Sequence, residues 1–307
     1  MYIHDQNAQK RTFGGVRLNT FGSAYSDIRK KKKYTQKEVA KDILSRQQLS
    51  KFENNLHSIN IVSFFELLDR LNITINELLI NVDEQKYFHQ STIYYHIAQA
   101  ILNNNKEKLL TLKSLESDHY HKDPNIRHQH NIIIIDQYCH KMDKEPFDEG
   151  LSQVIIDYLF NSEEWTYYEL CLYNNCLEFL PLAFVRETIK IASERSEKYI
   201  HLQQNTHIQA TLYLNMIYVL IKNNELRAAS HMIITTKTLL ANSTLFFEMN
   251  RLVHLEGIYL IKQNYLLSGK QKCLQAIKTL EYFDNLPHLR NHYEELSEFF
   301  GKDFSLE

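Results

Sequence analysis

Thr35-Gln36-Lys37-Glu38-Val39-Ala40-Lys41-Asp42-Ile43-Leu44-Ser45-Arg46-Gln47-Gln48-Leu49-Ser50-Lys51-Phe52-Glu53 is the stretch on which the reading of this chain turns. It holds two helix-start signals ten residues apart. In Thr35-Gln36-Lys37-Glu38 the Thr hydroxyl can accept from the third helical N–H while the Glu reaches back to the backbone of Thr35. Ser45-Arg46-Gln47-Gln48 repeats the device with Gln. Helices that begin so close together must be joined by a sharp turn, the geometry of a helix-turn-helix, whose second helix enters the DNA major groove.

Outward from this core the same signals continue. Thr74-Ile75-Asn76-Glu77 is a third capping box, and short apolar patterns at helical spacing lie between the boxes. Tyr25 and Ile28 belong to a first helix; Val39, Ala40 and Ile43 to a second; Leu49 and Phe52 to a third. Ile61, Phe64, Phe65 and Leu68 give the inner face of a fourth, and Leu78 and Leu79 that of a fifth. The expected head is five short helices over residues 21–82, preceded by a polar tail, residues 1–20, without an assigned fold.

Charge separates this head from the rest. Residues 1–80 carry 13 Lys and Arg against 8 Asp and Glu, a net of +5, whereas the remainder carries 22 against 29, a net of −7. A basic head on an acidic body suggests that the head meets a polyanion. The densest basic cluster, Arg29-Lys30-Lys31-Lys32-Lys33, lies just before the first capping box. The outward positions of the second helix of the motif are Arg46, Gln47, Gln48, Ser50 and Lys51. Gln can pair with adenine through both amide groups, Arg and Lys with guanine, and none of the five is a carboxylate. Thr35, Gln36 and Lys37, with Lys33 beside them, sit where free N–H groups and positive charge suit a backbone phosphate. The plainer alternative is a helical protein-interaction domain with a polar surface.

The body, residues 83–307, alternates apolar helical segments with polar breaks such as Asn103-Asn104-Asn105 and Lys222-Asn223-Asn224. Helices start near Phe88, Ile126, Glu163, Gln204 and Thr244, each followed by a second near Lys106, Pro146, Leu180, Glu225 and Lys270, a period of about 40 residues. The strict 34-residue tetratricopeptide signature is absent, but helix pairs at this period describe a tetratricopeptide-like α-solenoid. Seven glycines and four prolines are too few for a many-stranded sandwich or barrel. The fold class expected is therefore all-α.

Solenoid grooves commonly hold extended peptides, and side-chain amides can bridge a peptide's N–H and C=O groups. Asn174, Asn175, Gln204, Gln209 and Asn215 lie on or beside the central helices, and Arg186 could meet a peptide carboxylate; each could equally be a solvated face or a cap.

Thr35–Ala40 and Ser45–Glu53 resemble the repressor-type (Xre, Cro/C1) helix-turn-helix, except that the usual turn glycine is replaced by Asp42-Ile43-Leu44, one residue shorter. This departure is similar to a narrower group, the Rgg/GadR/MutR regulators of Gram-positive bacteria. Leu67-Leu68-Asp69-Arg70-Leu71-Asn72-Ile73-Thr74 resembles the same group, as does Tyr158-Leu159-Phe160-Asn161-Ser162-Glu163-Glu164-Trp165-Thr166-Tyr167-Tyr168-Glu169 followed by Asn175-Cys176. The similarity runs from about Phe21 onward. It implies a transcription regulator of quorum-sensing type, whose repeat domain senses a short hydrophobic peptide after import. It also implies a homodimer formed through the C-terminal part, and two-fold symmetry then asks for a near-palindromic operator.

Other chemistries find little support. The histidines between Asp118 and His130 are dense, but the segment breaks at Pro124 and alternate helical residues do not face one ligand sphere; no metal or cofactor is expected. There is no phosphate-binding GxGxxG or Walker loop and no GxSxG elbow. Cys171 and Cys176 approach His201 and His207 in sequence alone, and Glu163-Glu164 suit a helix start, so no enzyme is expected. Four cysteines without CxxC spacing fit a reducing cytoplasm. The longest aliphatic run, Ile132–Ile135, is far short of the roughly 20 residues of a membrane helix. Two rivals remain: a dimeric DNA-binding regulator without a peptide ligand, and a protein-binding repeat protein with a vestigial head.

Overall fold

The chain's shortage of glycine is met at its helix ends. A computed structural model describes residues 12–13, 16–17, 20–82, 89–197 and 205–306. Within these, the left-handed backbone positions at turns and helix ends fall on Asp42, Asn55, Asn72, Asn104, Asn224, Asn264, Asp284, Lys33 and Lys144, and on a single glycine, Gly301. Asn and Asp tolerate that conformation better than other side chains because their short polar groups bond locally. The architecture is all-α, apart from β1 (Thr12–Phe13) paired antiparallel with β2 (Val16–Arg17) in the stretch read as a tail.

The chain divides into two compact units, residues 1–92 and 93–307. The boundary expected after residue 82 adjoins residues 83–88, which lie outside the described residues. The first unit holds α1 (Phe21–Lys31), α2 (Gln36–Ala40), α3 (Arg46–Glu53), α4 (Ile61–Arg70) and α5 (Ile75–Leu79), so all five expected helices form. All three capping boxes form as well, at Thr35, Ser45 and Thr74. The core gathers Ala24, Tyr25, Val39, Ala40, Leu49, Phe52, Leu67, Leu68, Leu71 and Leu78.

The inner face of α4 differs from expectation. Ile61 and Phe65 are 69% and 51% exposed, whereas Leu67 and Leu71 are fully buried. Five residues in the run Ile61–Phe65 cannot all face one way; the buried stripe is Phe64, Leu67, Leu68 and Leu71, at i, i+3, i+4 and i+7. Gly22 lets α1 meet α3 closely, because a Cβ there would overlap the Phe52 carbonyl oxygen.

The second unit is a stack of helix pairs. They are α6 (His89–Leu102) with α7 (Lys106–Lys122), α8 (Ile126–Asp143) with α9 (Glu149–Asn161), and α10 (Tyr167–Cys176) with α11 (Leu182–Glu197). Next come α12 (Asn205–Lys222) with α13 (Leu226–Leu240), and α14 (Phe246–Lys262) with α15 (Leu266–Tyr282). A further first helix, α16 (Leu286–Phe300), follows them; the sequence reading did not anticipate it. The third pair begins at Tyr167, later than the expected Glu163, because Thr166 rather than Glu163 caps the helix.

Four of the pairs share one joint. The left-handed residue donates its N–H to the carbonyl three residues back, and the next residue donates to the carbonyl five back. Examples are Asn104 to Ile101 with Asn105 to Ala100, and Asn264 to Ile261 with Tyr265 to Leu260. This is the Schellman pattern that satisfies a helix's last carbonyls. It recurs at residues 104, 144, 224 and 264, and again at 284 before α16. The third pair lacks a left-handed joint, and its helices are joined through Leu177–Pro181. First helices of neighbouring pairs lie side by side, α8 on α10, α10 on α12, α12 on α14 and α14 on α16. Between α14 and its own partner α15 the backbones approach at Gly257 and Gly269, where an added Cβ on Gly257 would sit 2.9 Å from the Gly269 oxygen.

Candidate nucleic-acid interface and ligand groove

The helix-turn-helix rests on a buried ion pair. Arg29 of α1 grips Glu53 at the end of α3, Nε to Oε1 at 2.5 Å and Nη2 to Oε2 at 2.7 Å, with both side chains under 10% exposed. Ser26 and Gln36 donate to the same carboxylate at 2.9 Å, and the third Arg29 nitrogen, Nη1, donates to the Tyr34 carbonyl at 2.7 Å. Burial alone would raise the Glu53 carboxyl; hydrogen bonds from Arg29, Gln36 and Ser26 outweigh it and hold Glu53 below the usual carboxylate range. Arg70 of α4 fixes the other end of the motif by donating to the carbonyls of Glu38 and Lys41. Asp42 then turns the chain with φ +65°.

This scaffold aims α3 outward. Leu49, Phe52 and Glu53 are buried, while Arg46, Gln47, Gln48 and Lys51 are exposed and Ser50 is half-buried. The five expected reading positions therefore share one side, but they are not equivalent. The Gln48 side-chain oxygen accepts the Ser45 backbone N–H at 2.9 Å, completing the capping box. Pairing with adenine needs both the oxygen and the nitrogen of an amide, so Gln48 cannot cap the helix and read a base in that way together. Gln47, one residue earlier, stands clear of the cap.

The phosphate side is also thinner than expected. Glu38 occupies the Thr35 N–H and hydroxyl at 2.7 and 2.6 Å, and the Gln36 amide is spent on Glu53. In the basic cluster Arg29 is buried, and Lys32 donates to the Leu71 carbonyl at the end of α4 at 2.6 Å. Lys30, Lys31, Lys33 and Lys37 are left exposed.

In the second unit the expected groove residues part company. Asn215 of α12 donates to Asn174 of α10 at 3.0 Å, and both are half-buried on the open face of the first-helix layer. Asn175 donates to the Cys171 carbonyl of its own helix at 2.7 Å. Arg186 is paired with Glu225 in the second-helix layer. Gln209 is buried, donating to Tyr213 at 2.9 Å, and lies about 120° round the helix from Asn215. Gln204 lies outside the described residues.

One polar group escaped the sequence reading. Lys222, further along the accessible stripe of Asn215, bonds Glu298 at 2.8 Å and Glu178 at 3.3 Å; Lys141 pairs with Glu178 at 2.5 Å, and Tyr218 donates to Glu298 at 2.8 Å. Burial would lower the Lys222 ammonium, but Glu298 and Glu178 raise it above the ordinary value. The four charged residues come from four places in the chain, so only the stacking of first helices assembles them. The stretch around Trp165 forms a joint between the second and third pairs: Trp165 donates to the Leu159 carbonyl at 3.0 Å, Tyr158 to Glu169 at 2.6 Å, and Thr166 and Glu169 form a capping box.

Known proteins fit this architecture. The family described as "HTH-type transcriptional regulator Rgg, C-terminal domain" matches residues 113–295, and a helix-turn-helix family matches residues 26–78. Among solved structures, the SHP pheromone receptor Rgg2 of Streptococcus dysgalactiae is 24% identical over 91% of this chain and 99% of its own, with a TM-score of 0.68. A protein assigned to transcriptional regulation in Listeria monocytogenes EGD-e is 20% identical over 92% and 98%, with a TM-score of 0.77. PrgX in complex with cCF10 is 15% identical over 94% of each chain, with a TM-score of 0.67. At these identities the solved structures speak for the fold. No helix among the described residues is long and apolar enough to cross a membrane.

Proposed function

The chain belongs to the Rgg family of HTH-type transcriptional regulators, and from that premise we propose that it is an intracellular, dimeric regulator that reads DNA with residues 21–82 and senses a short hydrophobic peptide with residues 83–307. The observation that carries the reading is the side of α3 that bears Arg46, Gln47 and Lys51, free of carboxylates and braced from behind by Arg29 and Glu53. Arg46, Gln47, Ser50 and Lys51 contact base edges, while Lys30, Lys31, Lys33 and Lys37 meet phosphates.

Binding of labelled promoter DNA tests the assignment. Gln47→Ala should cost about 1–3 kcal/mol on cognate DNA and little on random DNA. Gln48→Ala, which loses a cap, should weaken both together. Neutralising Lys30, Lys31 and Lys33 should weaken every site and flatten the salt dependence. Equal losses on cognate and random DNA for Gln47→Ala would remove α3 from the groove.

Dimerisation is supported by exposed Phe246, Tyr282, Phe283 and Leu286 in the C-terminal unit. Phe247 lies 4.3 Å, ring to ring, from His288, so the start of α14 stands beside the start of α16. An apolar group of this size is more often an interface than bare surface.

The peptide lies along the open face of the first helices. Asn174 and Asn215 satisfy each other without a ligand and can open to bond a peptide backbone. The rival regulator without a peptide is separated by calorimetry with synthetic hydrophobic peptides encoded beside the gene. Asn215→Ala should weaken the binding about three- to tenfold, the worth of one hydrogen bond. Absence of heat with every such peptide would favour the rival.

A further inference from the structure

His254 and His292 sit where an imidazole has least reason to be. Both are essentially fully buried, His254 in the middle of α14 and His292 on the neighbouring face of α16, with ring centroids 3.8 Å apart. Among the described residues, Nδ1 of His254 and both ring nitrogens of His292 have no hydrogen-bond partner. Nε2 of His254 has only the Glu295 carboxylate, 3.2 Å away. A buried polar atom without a partner is costly, and such atoms ask for an explanation such as an ion.

We propose that His254, His292 and Glu295 bind one zinc-class transition-metal ion that clamps α14 to α16. Two imidazoles and a carboxylate are a donor set zinc uses, and imidazole selects zinc, copper or nickel over magnesium and calcium. One donor atom from each residue already lies within 4.8 Å of the others. Donors on a tetrahedral zinc ion, at bonds of about 2.0–2.1 Å, stand about 3.3 Å apart. Closing that gap requires the stacked rings to tilt until their in-plane lone pairs converge. His292 and Glu295 stand three apart on one helical turn, so both can address the same point.

Arg251 grips Glu295 through two nitrogens and so orients it. Its charge opposes a second cation, which disfavours an ion held by charge alone and favours one held by ring-nitrogen bonds.

The test uses the full chain, stripped with EDTA and dialysed. Wild type should take up one Co2+ or Zn2+ per chain, develop visible Co2+ absorption of tetrahedral type, and melt at a temperature that rises with Zn2+ concentration. His292→Leu replaces an unpartnered ring with an apolar side chain, so the metal-free protein should melt at or above the wild-type temperature while the Zn2+ response disappears. His254→Leu should behave alike. Absence of a Zn2+-dependent rise and of bound metal in wild type would overturn the site. So would an undiminished response in His292→Leu, which would assign the metal to other histidines.

Discussion

Glu53→Gln should destabilise the helix-turn-helix unit by about 3–5 kcal/mol, because it leaves the Arg29 charge buried without its counter-charge. For a unit of this size that is a fall in melting temperature of roughly 12 °C or more, read in the full chain as loss of DNA binding and as proteolytic cleavage within residues 21–82. Replacing both partners by leucine should recover much of the loss, since a buried pair exchanged for apolar packing is often neutral. Acid should mimic the single variant. The Glu53 carboxyl lies below its ordinary value when folded, so its stabilisation is fully present above the ordinary carboxylate pKa and is lost as pH falls through the lowered folded value. In Glu53→Gln that acid-sensitive component should be missing. A variant that melts within 1 kcal/mol of wild type at neutral pH would show that something other than this pair sets the angle of α3.

Trp165→Ala should be equally damaging to the second unit, at about 3–5 kcal/mol. The indole is buried, packs on Tyr173 at 5.1 Å between ring centroids, and supplies the N–H that satisfies the Leu159 carbonyl at the end of α9. Denaturant unfolding followed by circular dichroism measures the loss. Trp165→Phe should fall between the two, keeping most of the packing while leaving the carbonyl unpaired. Because this is the chain's one tryptophan, its fluorescence in the wild type reports the opening of that joint specifically. A Trp165→Ala protein of unchanged stability would mean that the joint between the second and third pairs contributes nothing to the stack.

What was legible in the sequence is what a few adjacent residues decide. Capping boxes act over three positions, so the starts of α2, α3 and α5 could be read directly. The period of about 40 residues survived because each pair repeats a local pattern of helix, polar break and helix. The inner face of α4 failed where Ile61–Phe65 offered more apolar residues than one face can bury. Gln48 satisfies two local rules at once, and without DNA its side-chain oxygen accepts the Ser45 N–H at 2.9 Å. The Arg29–Glu53 pair, 24 residues apart, carried no local mark at all. Gln209 was chosen by type on a first helix and Arg186 on a second helix, and which side of α12 is open depends on how α10 and α14 flank it.

The side-by-side first helices also impose a rule on what meets what. Asn174 faces Asn215 and His207 faces Glu248, each at an offset of 41 residues, and Arg251 faces Glu295 at 44. Partners are thus drawn from matching places in successive units, as teeth mesh between adjoining gears. Dropping one residue from the middle of α12 would turn its far half by about 100°. Lys222 would swing away from Glu178 and Glu298 while His207 kept its place. Whole units can be gained or lost by such an architecture far more safely than single residues.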